Sequence, residues 1–146
     1  MLFMLMWNAT ATRWGVIGSH TEMEAAAAFA SESLMATRGF PVSWEALPHI
    51  DGNVSAIGLA NGRNELSRAK LEKLVSENAT AYGTVRARLG LQKYSFGMRV
   101  SDISDNIALY EFGEFSPAPT GDSLSFVRLG VLDGEPVIVH MEVWEP

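Results

Sequence analysis

Three histidines are the side chains best suited to proton transfer or metal binding in this chain, which contains no cysteine. The lack of cysteine excludes disulfides, thiol nucleophiles, iron–sulfur clusters and cysteine-ligated zinc. His20, His49 and His140 lie far apart in the sequence, and none is part of an HExxH pattern. We therefore predict no metal site, no cofactor site and no catalytic residue.

One histidine sits in a pattern that leaves two alternatives open. In the last strand candidate, His140 and Glu142 alternate with apolar residues, so both point to one face of a sheet. Together with Tyr110 and Phe112 they could line a pocket for a small molecule. If a carboxylate lies within hydrogen-bond reach, His140 could instead serve a small hydrolase or isomerase. Four other carboxylates lack the spacing of a calcium loop and are interpreted as a solvated strand face: Asp102, Asp105, Glu111 and Glu114.

Three Asn-x-Ser/Thr sequons occur in the chain, at Asn8, Asn53 and Asn78. Such sequons are acceptors of N-linked glycans on exported proteins. They make these three asparagines glycosylation candidates and favour an extracellular or cell-surface location.

Length and charge limit the class of protein. A chain of 146 residues and 15.9 kDa suggests a single domain over residues 1–146. Its net charge of −6 disfavours nucleic acid as a partner. The apolar stretch at residues 1–7 is too short to span a bilayer, which takes about 20 residues.

Hydrophobic periodicity predicts that helices come first and strands follow. Thr21 and Glu24 form a capping box, and Met23, Ala27, Ala30 and Leu34 make one apolar stripe. Asp133-Gly134 predicts a type I′ hairpin between the last two strands. The fold class is α+β, ending in a four-stranded antiparallel meander. The predicted helices cover 21–38, 67–77 and 79–89, the strands 94–100, 107–115, 123–131 and 136–144, and the three regions of the domain 1–38, 39–92 and 93–146.

An ordered set of short motifs runs through the middle of the chain. A helix end at residues 34–38 is followed by Gly39-Phe40-Pro41-Val42-Ser43-Trp44-Glu45 and then by Ile57-Gly58-Leu59-Ala60. Next come Leu66-Ser67-Arg68-Ala69-Lys70-Leu71, a helix from Tyr82 to Leu89-Gly90, and Tyr94-Ser95-Phe96. In this order and spacing, residues 20–102 resemble archaeal type IV pilin-like proteins, the family made with class III signal peptides.

The resemblance implies a non-enzymatic subunit of a filament or cell surface and is compatible with an adhesive role. Its partners would be copies of itself or related pilins, bound through the N-terminal helix. It would meet a membrane only through an apolar N-terminal helix, of which residues 2–7 would be the remaining end. The resemblance also implies that residues 2–37 form one long helix in a pilin-like fold. The motif residues are then structural: Gly39, Pro41, Trp44, Gly58, Leu59, Lys70 and Gly90.

Overall fold

The computed structural model describes residues 14–104, 107–116 and 123–146. Within these residues, three α-helices and a short 3₁₀ helix at Trp44–Ala46 accompany two β-sheets. The helices are α1 (Trp14–Ala36), α2 (Arg68–Ser76) and α3 (Asn78–Arg88). The strands are β1 (Gly39–Phe40), β2 (Ala56–Ile57), β3 (Ala60–Gly62), β4 (Glu65–Leu66), β5 (Ser95–Asp102), β6 (Ala108–Gly113), β7 (Ser123–Leu132) and β8 (Glu135–Trp144).

The main sheet has six strands in the order β3-β4-β7-β8-β5-β6. The sheet is mixed, because β4 runs parallel to β7 while every other pair of neighbouring strands in it is antiparallel. β1 and β2 form a separate two-stranded sheet. The predicted four-stranded meander is therefore wrong. A meander would place β6 beside β7, whereas β8 lies between β7 and β5 and β6 lies at the sheet edge.

The burial of β8 explains its central position. Val137, Val139, Met141 and Val143 share one face, as the alternation predicts, and all four are buried. A strand with such an apolar face gains most when neighbours on both sides extend the covered surface. Two additional strands of the main sheet, β3 and β4, lie outside the four predicted strands.

The prediction of a long N-terminal helix over residues 2–37 is also wrong. The described helix is Trp14–Ala36, and residues 2–13 lie outside the described part of the chain. Thr21 lies inside this helix, so the capping-box interpretation fails as well. The pilin-like architecture expected from the resemblance is accordingly not the architecture of this domain.

Several local patterns are reproduced in the structure. The α1 stripe Met23, Ala27, Ala30 and Leu34 is buried against the sheet. At the hairpin between β7 and β8, Asp133 and Gly134 have φ of 53° and 81°. Both values are positive, as a type I′ turn requires.

Candidate functional site

The end of α1 is held by hydrogen bonds from other parts of the domain. A helix leaves its last carbonyls without partners in the helix. Here Leu59 N–H donates to Leu34 O at 2.9 Å, and Asn64 N–H donates to Met35 O at 3.0 Å. Ala60 N–H donates to Thr37 O at 3.0 Å. The carbonyls of the final turn are thus fixed to β3 and to the residues around it.

The next carbonyl is that of Arg38, and it accepts hydrogen bonds from two side chains that come from different parts of the chain. The indole Nε1 of Trp44 donates to it at 3.2 Å and also to Gly58 O at 3.1 Å. Lys70 Nζ donates to the same Arg38 oxygen. We call the group Arg38, Gly39, Trp44, Gly58 and Lys70 the helix-end cluster.

Two glycines allow the chain segments of this cluster to approach closely. A Cβ on Gly58 would lie 2.3 Å from Thr37 O and 2.6 Å from Gly39 N. Gly39 has φ of +81°, a conformation that L side chains rarely adopt. Its predicted role as the residue after the helix is shifted, because α1 ends at Ala36 and Gly39 begins β1.

Lys70 is the charged centre of the cluster, and its residue is only 2% exposed. Its Nζ also donates to Val42 O at 2.7 Å and lies 3.9 Å from Glu45 Oε2. The Trp44 ring centroid is 5.7 Å away. Burial lowers the pKa of Lys70; the Glu45 carboxylate opposes this lowering, and the Arg38 charge adds to it.

A buried lysine with a lowered pKa is also the profile of a Schiff-base or general-base residue. In this position, however, the ammonium already donates to two main-chain carbonyls. A cation next to the last carbonyls of a helix also interacts favourably with the helix dipole. The arrangement is that of a structural cation which ties α2 to the end of α1.

The structure brings together most of the motif residues named from the sequence. Pro41 O accepts Trp44 N–H at 3.0 Å, and Leu59 is fully buried beside the last turn of α1. Only Gly90 lies elsewhere, with φ of +76° just after α3 and Phe29 nearby.

A second buried charge was not predicted. The carboxylate of Glu77, between α2 and α3, accepts hydrogen bonds from His49 Nδ1 and from Ile50 N–H, each at 2.9 Å. One of its oxygens also lies 3.6 Å from Lys73 Nζ. Burial acts to raise the pKa of Glu77, but these hydrogen bonds and the Lys73 charge outweigh it, so the pKa is lowered. No spacing rule links His49 to Glu77, because the contact depends on how the connection folds over α2.

Glu77 should make stability depend on pH. Its pKa is lower in the folded protein than its ordinary value of 4.5, so its contribution is complete above that pH. The contribution is lost as the pH falls through the lower folded pKa. We expect Glu77→Gln to cost about 1–3 kcal/mol at neutral pH and to flatten the loss of stability between about pH 6 and pH 3. Urea midpoints across that range test this, with the exposed Glu24→Gln as control. Parallel pH profiles for wild type and Glu77→Gln would contradict it.

The face of the sheet away from the helices carries the other candidate site. Arg99 and His140 are direct neighbours across β5 and β8. Arg99 Nε donates to Glu111 Oε1 at 2.8 Å, and its guanidinium lies 4.8 Å from the Phe115 ring centroid. A cavity of about 330 Å³ opens beside them. It is lined by Arg99, Ser101, Val127, Ile138 and His140.

The pocket predicted around His140 has a different lining. Tyr110 and Phe112 lie on the helix-covered face, since Tyr110 is opposite Val100 and Phe112 is opposite Met98. His140 and Glu142 lie on the other face. In the described part of the chain, His140 has no hydrogen bond to a carboxylate, and Glu142 accepts the N–H of Ser116.

The remaining acid–base and metal candidates are dispersed. His20 is in α1, His49 contacts Glu77, and Glu111 pairs with Arg99. Asp105 lies outside the described residues. Within residues 14–104, 107–116 and 123–146, no group of three His, Asp or Glu side chains is placed to hold a metal ion.

The sequons differ in their surroundings. Asn53 is exposed in a turn, whereas Asn78 is half-buried at the start of α3, and its Oδ1 accepts Gly113 N–H at 3.0 Å. Asn8 lies outside the described residues. An oligosaccharide needs an accessible amide nitrogen. If the chain is glycosylated in its native cell, we expect glycan on Asn53 and none on Asn78. Peptide mass spectrometry before and after Asn53→Gln checks this, and a glycan on Asn78 would contradict it.

Compared with known proteins, the chain matches no family model, no curated protein and no solved structure. None of the helices in the described residues has both the length and the apolar character needed to cross a membrane.

Proposed function

We propose that this chain is a non-enzymatic subunit of a cell-surface assembly or filament. In this role the domain is held at a fixed angle to its N-terminal helix, and copies associate through that helix. The observation that carries the proposal is the way the end of α1 is held. Its last turn accepts hydrogen bonds from Leu59 and Asn64 on either side of β3, and Arg38, two residues after the helix, accepts hydrogen bonds from Trp44 and Lys70.

The bonds at the end of α1 come from several elements. Besides the backbone bonds, Ser33 Oγ donates to Ile57 O at 3.0 Å and Arg38 Nη2 donates to Asn61 O at 3.0 Å. A helix that ended in a solvated loop could swing relative to the domain. A helix end tied by several independent contacts transmits force and orientation, which is what an assembly built on helices needs.

The resemblance to archaeal type IV pilin-like proteins supports the same role. Of the motif residues interpreted as structural, all except Gly90 lie at the helix-end cluster or in direct contact with it. The exposed Asn53 sequon is consistent with an extracellular location. Because the six-stranded mixed sheet differs from the fold that the resemblance implied, the proposal rests on this cluster and not on the sheet.

The side chains with catalytic potential support a non-enzymatic role. The Lys70 ammonium is bonded to main-chain oxygens, and the Glu77 carboxylate is bonded to His49 and to the Ile50 N–H. Both arrangements use the charge for structure.

Single-cysteine variants test this proposal cleanly, since the chain has no cysteine of its own. Ala28→Cys places a thiol on the exposed side of α1, and Glu135→Cys places one at the exposed start of β8 as the matched control. The variants are expressed in the native host and treated on intact cells with a membrane-impermeant maleimide or bis-maleimide. We expect Glu135→Cys to be labelled and Ala28→Cys to give cross-linked multimers. An unlabelled, uncross-linked cytosolic protein would refute the proposal.

A second candidate function is the binding of a small ligand in the cavity beside Arg99 and His140. In the lining of this cavity, the Arg99 guanidinium and the His140 imidazole accompany the aliphatic side chains of Val127 and Ile138. This combination suits a small carboxylate with an apolar body. Titration of the full chain with benzoate, followed by amide NMR, should shift β5 and β8 signals and lose this effect in Arg99→Gln but not in Arg128→Gln. The absence of shifts at millimolar benzoate would exclude this candidate for that ligand class.

A further inference from the structure

β7 has a long uncovered edge. On one side it pairs with β8 along its whole length, from Ser123 to Leu132. On the other side, β4 covers only Val131 and Leu132. The edge from 123 to 130 has no strand beside it in the described part of the chain.

The backbone direction along this edge follows from one hydrogen bond. Val131 N–H donates to Asn64 O at 2.8 Å, which places it on the side away from β8. In a strand, the N–H and C=O of one residue point to the same side, and the side alternates with each residue. Four further residues must therefore point their backbone groups to the uncovered side, namely Ser123, Ser125, Val127 and Leu129.

None of those four residues has a hydrogen-bond partner for these outward groups among the described residues. The neighbouring side chains do not protect the edge either. Val127 is 67% exposed, Leu129 64% and Val131 40%, all on the face away from the helices. Natural sheets usually block such an edge with lysine, proline or a bulge. Here the outward residues carry none of these devices.

We propose that the uncovered edge of β7 is an interface with a second copy of this chain, in which the two β7 strands pair antiparallel about a two-fold axis at Phe126. This register places Ser123 opposite Leu129 and Ser125 opposite Val127, so that every outward group faces another outward group. About eight hydrogen bonds would form between the two strands.

The charge distribution favours a second copy as the occupant. Arg128 is the one ionisable residue among residues 123–129, and it is already neutralised by Glu32, with Nη–Oε2 distances of 3.0 and 3.1 Å. Two such edges can therefore meet without like-charge repulsion, although each chain carries −6 overall. Across the same axis Phe126 would lie opposite its own copy, and the two Val127 side chains would be diagonal neighbours.

This interface is separate from the helix contact of the proposed function, and the two can be tested apart. The full chain is studied by analytical ultracentrifugation over a range of concentrations. The variants are Val127→Lys on the β7 edge, the matched control Leu109→Lys, which is exposed on β6 at the opposite sheet edge, and Ala28→Lys on α1. We expect a dimer whose dissociation constant rises at least tenfold in Val127→Lys and is unchanged in the other two variants.

Amide hydrogen exchange gives a second measurement that does not depend on a variant. Exchange at Ser125, Val127 and Leu129 should slow only at concentrations at which the dimer forms. A chain that remains monomeric at millimolar concentration, with these amides exchanging freely, would overturn the proposal and leave the edge for a strand of a different protein. A dimer that persists in Val127→Lys but dissociates in Ala28→Lys would also overturn it, while supporting association through α1.

Discussion

Replacing Gly58 by alanine is expected to lower the free energy of unfolding by about 3 kcal/mol, because the new methyl group has no space. Its Cβ would lie 2.3 Å from Thr37 O, 2.4 Å from Thr37 Oγ1 and 2.6 Å from Gly39 N. Two of these three atoms belong to the backbone, so no side-chain rotation relieves the contacts. Either the end of α1 or the segment leading into β3 must move. Urea unfolding monitored by circular dichroism measures the loss.

Gly83→Ala provides a matched control for that variant. Gly83 lies within α3, and a Cβ there has no neighbouring heavy atom within 4 Å. Alanine is a better helix former than glycine, so this change should raise stability by about 0.5–1 kcal/mol. The same substitution is thus expected to have opposite effects at the two positions. A Gly58→Ala protein as stable as wild type would mean that the end of α1 is not held tightly. That result would contradict the proposal of a rigid connection between α1 and the domain.

Lys70→Met is expected to cost about 3 kcal/mol, which is typical of removing one partner from a buried ionic group. Methionine retains most of the apolar stem, so the loss comes from the ammonium. Without it, Val42 O loses the donor that reaches it and Arg38 O loses one of its two. The buried Glu45 Oε2, which has no hydrogen bond, loses its neighbouring cation as well.

A double-mutant cycle separates the charge effect from the packing effect. Glu45→Gln removes the carboxylate that Lys70→Met leaves uncompensated, so the double variant should recover about 1 kcal/mol relative to Lys70→Met alone. Lys93→Met serves as the surface control, because its ion pair with Glu22 is exposed to solvent and should contribute little to stability. Equal losses in Lys70→Met and Lys93→Met would show that Lys70 is not part of a buried connection.

Together these variants test whether the helix-end cluster is one mechanical unit. If it is, Gly58→Ala and Lys70→Met should also weaken cross-linking at Ala28→Cys in the cellular experiment, since the helix would no longer be held at one angle. The urea measurements on the purified variants show separately whether each variant remains folded.

Local sequence signals were sufficient for the features that depend on neighbouring residues. The hydrophobic stripe of α1 and the Asp133-Gly134 turn follow from helical periodicity and turn chemistry, and the structure contains both. The order of the glycine, proline and tryptophan motif after α1 predicts a structural role for its residues. The sequence alone did not show that Lys70, 26 residues after Trp44, completes the same cluster.

The arrangement of the strands required the tertiary structure. The alternation of β8 predicted its two faces, but not that β5 and β7 would flank it. Tyr110 and His140 were grouped from their chemistry, whereas the pairing register puts them on opposite faces. A shift of one residue reverses every side chain of a strand, and register is set by packing between distant segments.

The sequence by itself determined roughly where the three described helices and the four long strands β5 to β8 form, but not where the first helix ends, which is Ala36 rather than the predicted residue 38. Only the tertiary structure decided the strand order, the burial of Lys70 and Glu77, and the uncovered edge of β7. The physical reason is that helical periods, turns and caps are encoded within a few residues. Strand neighbours and buried charges, in contrast, depend on which distant surfaces exclude water together.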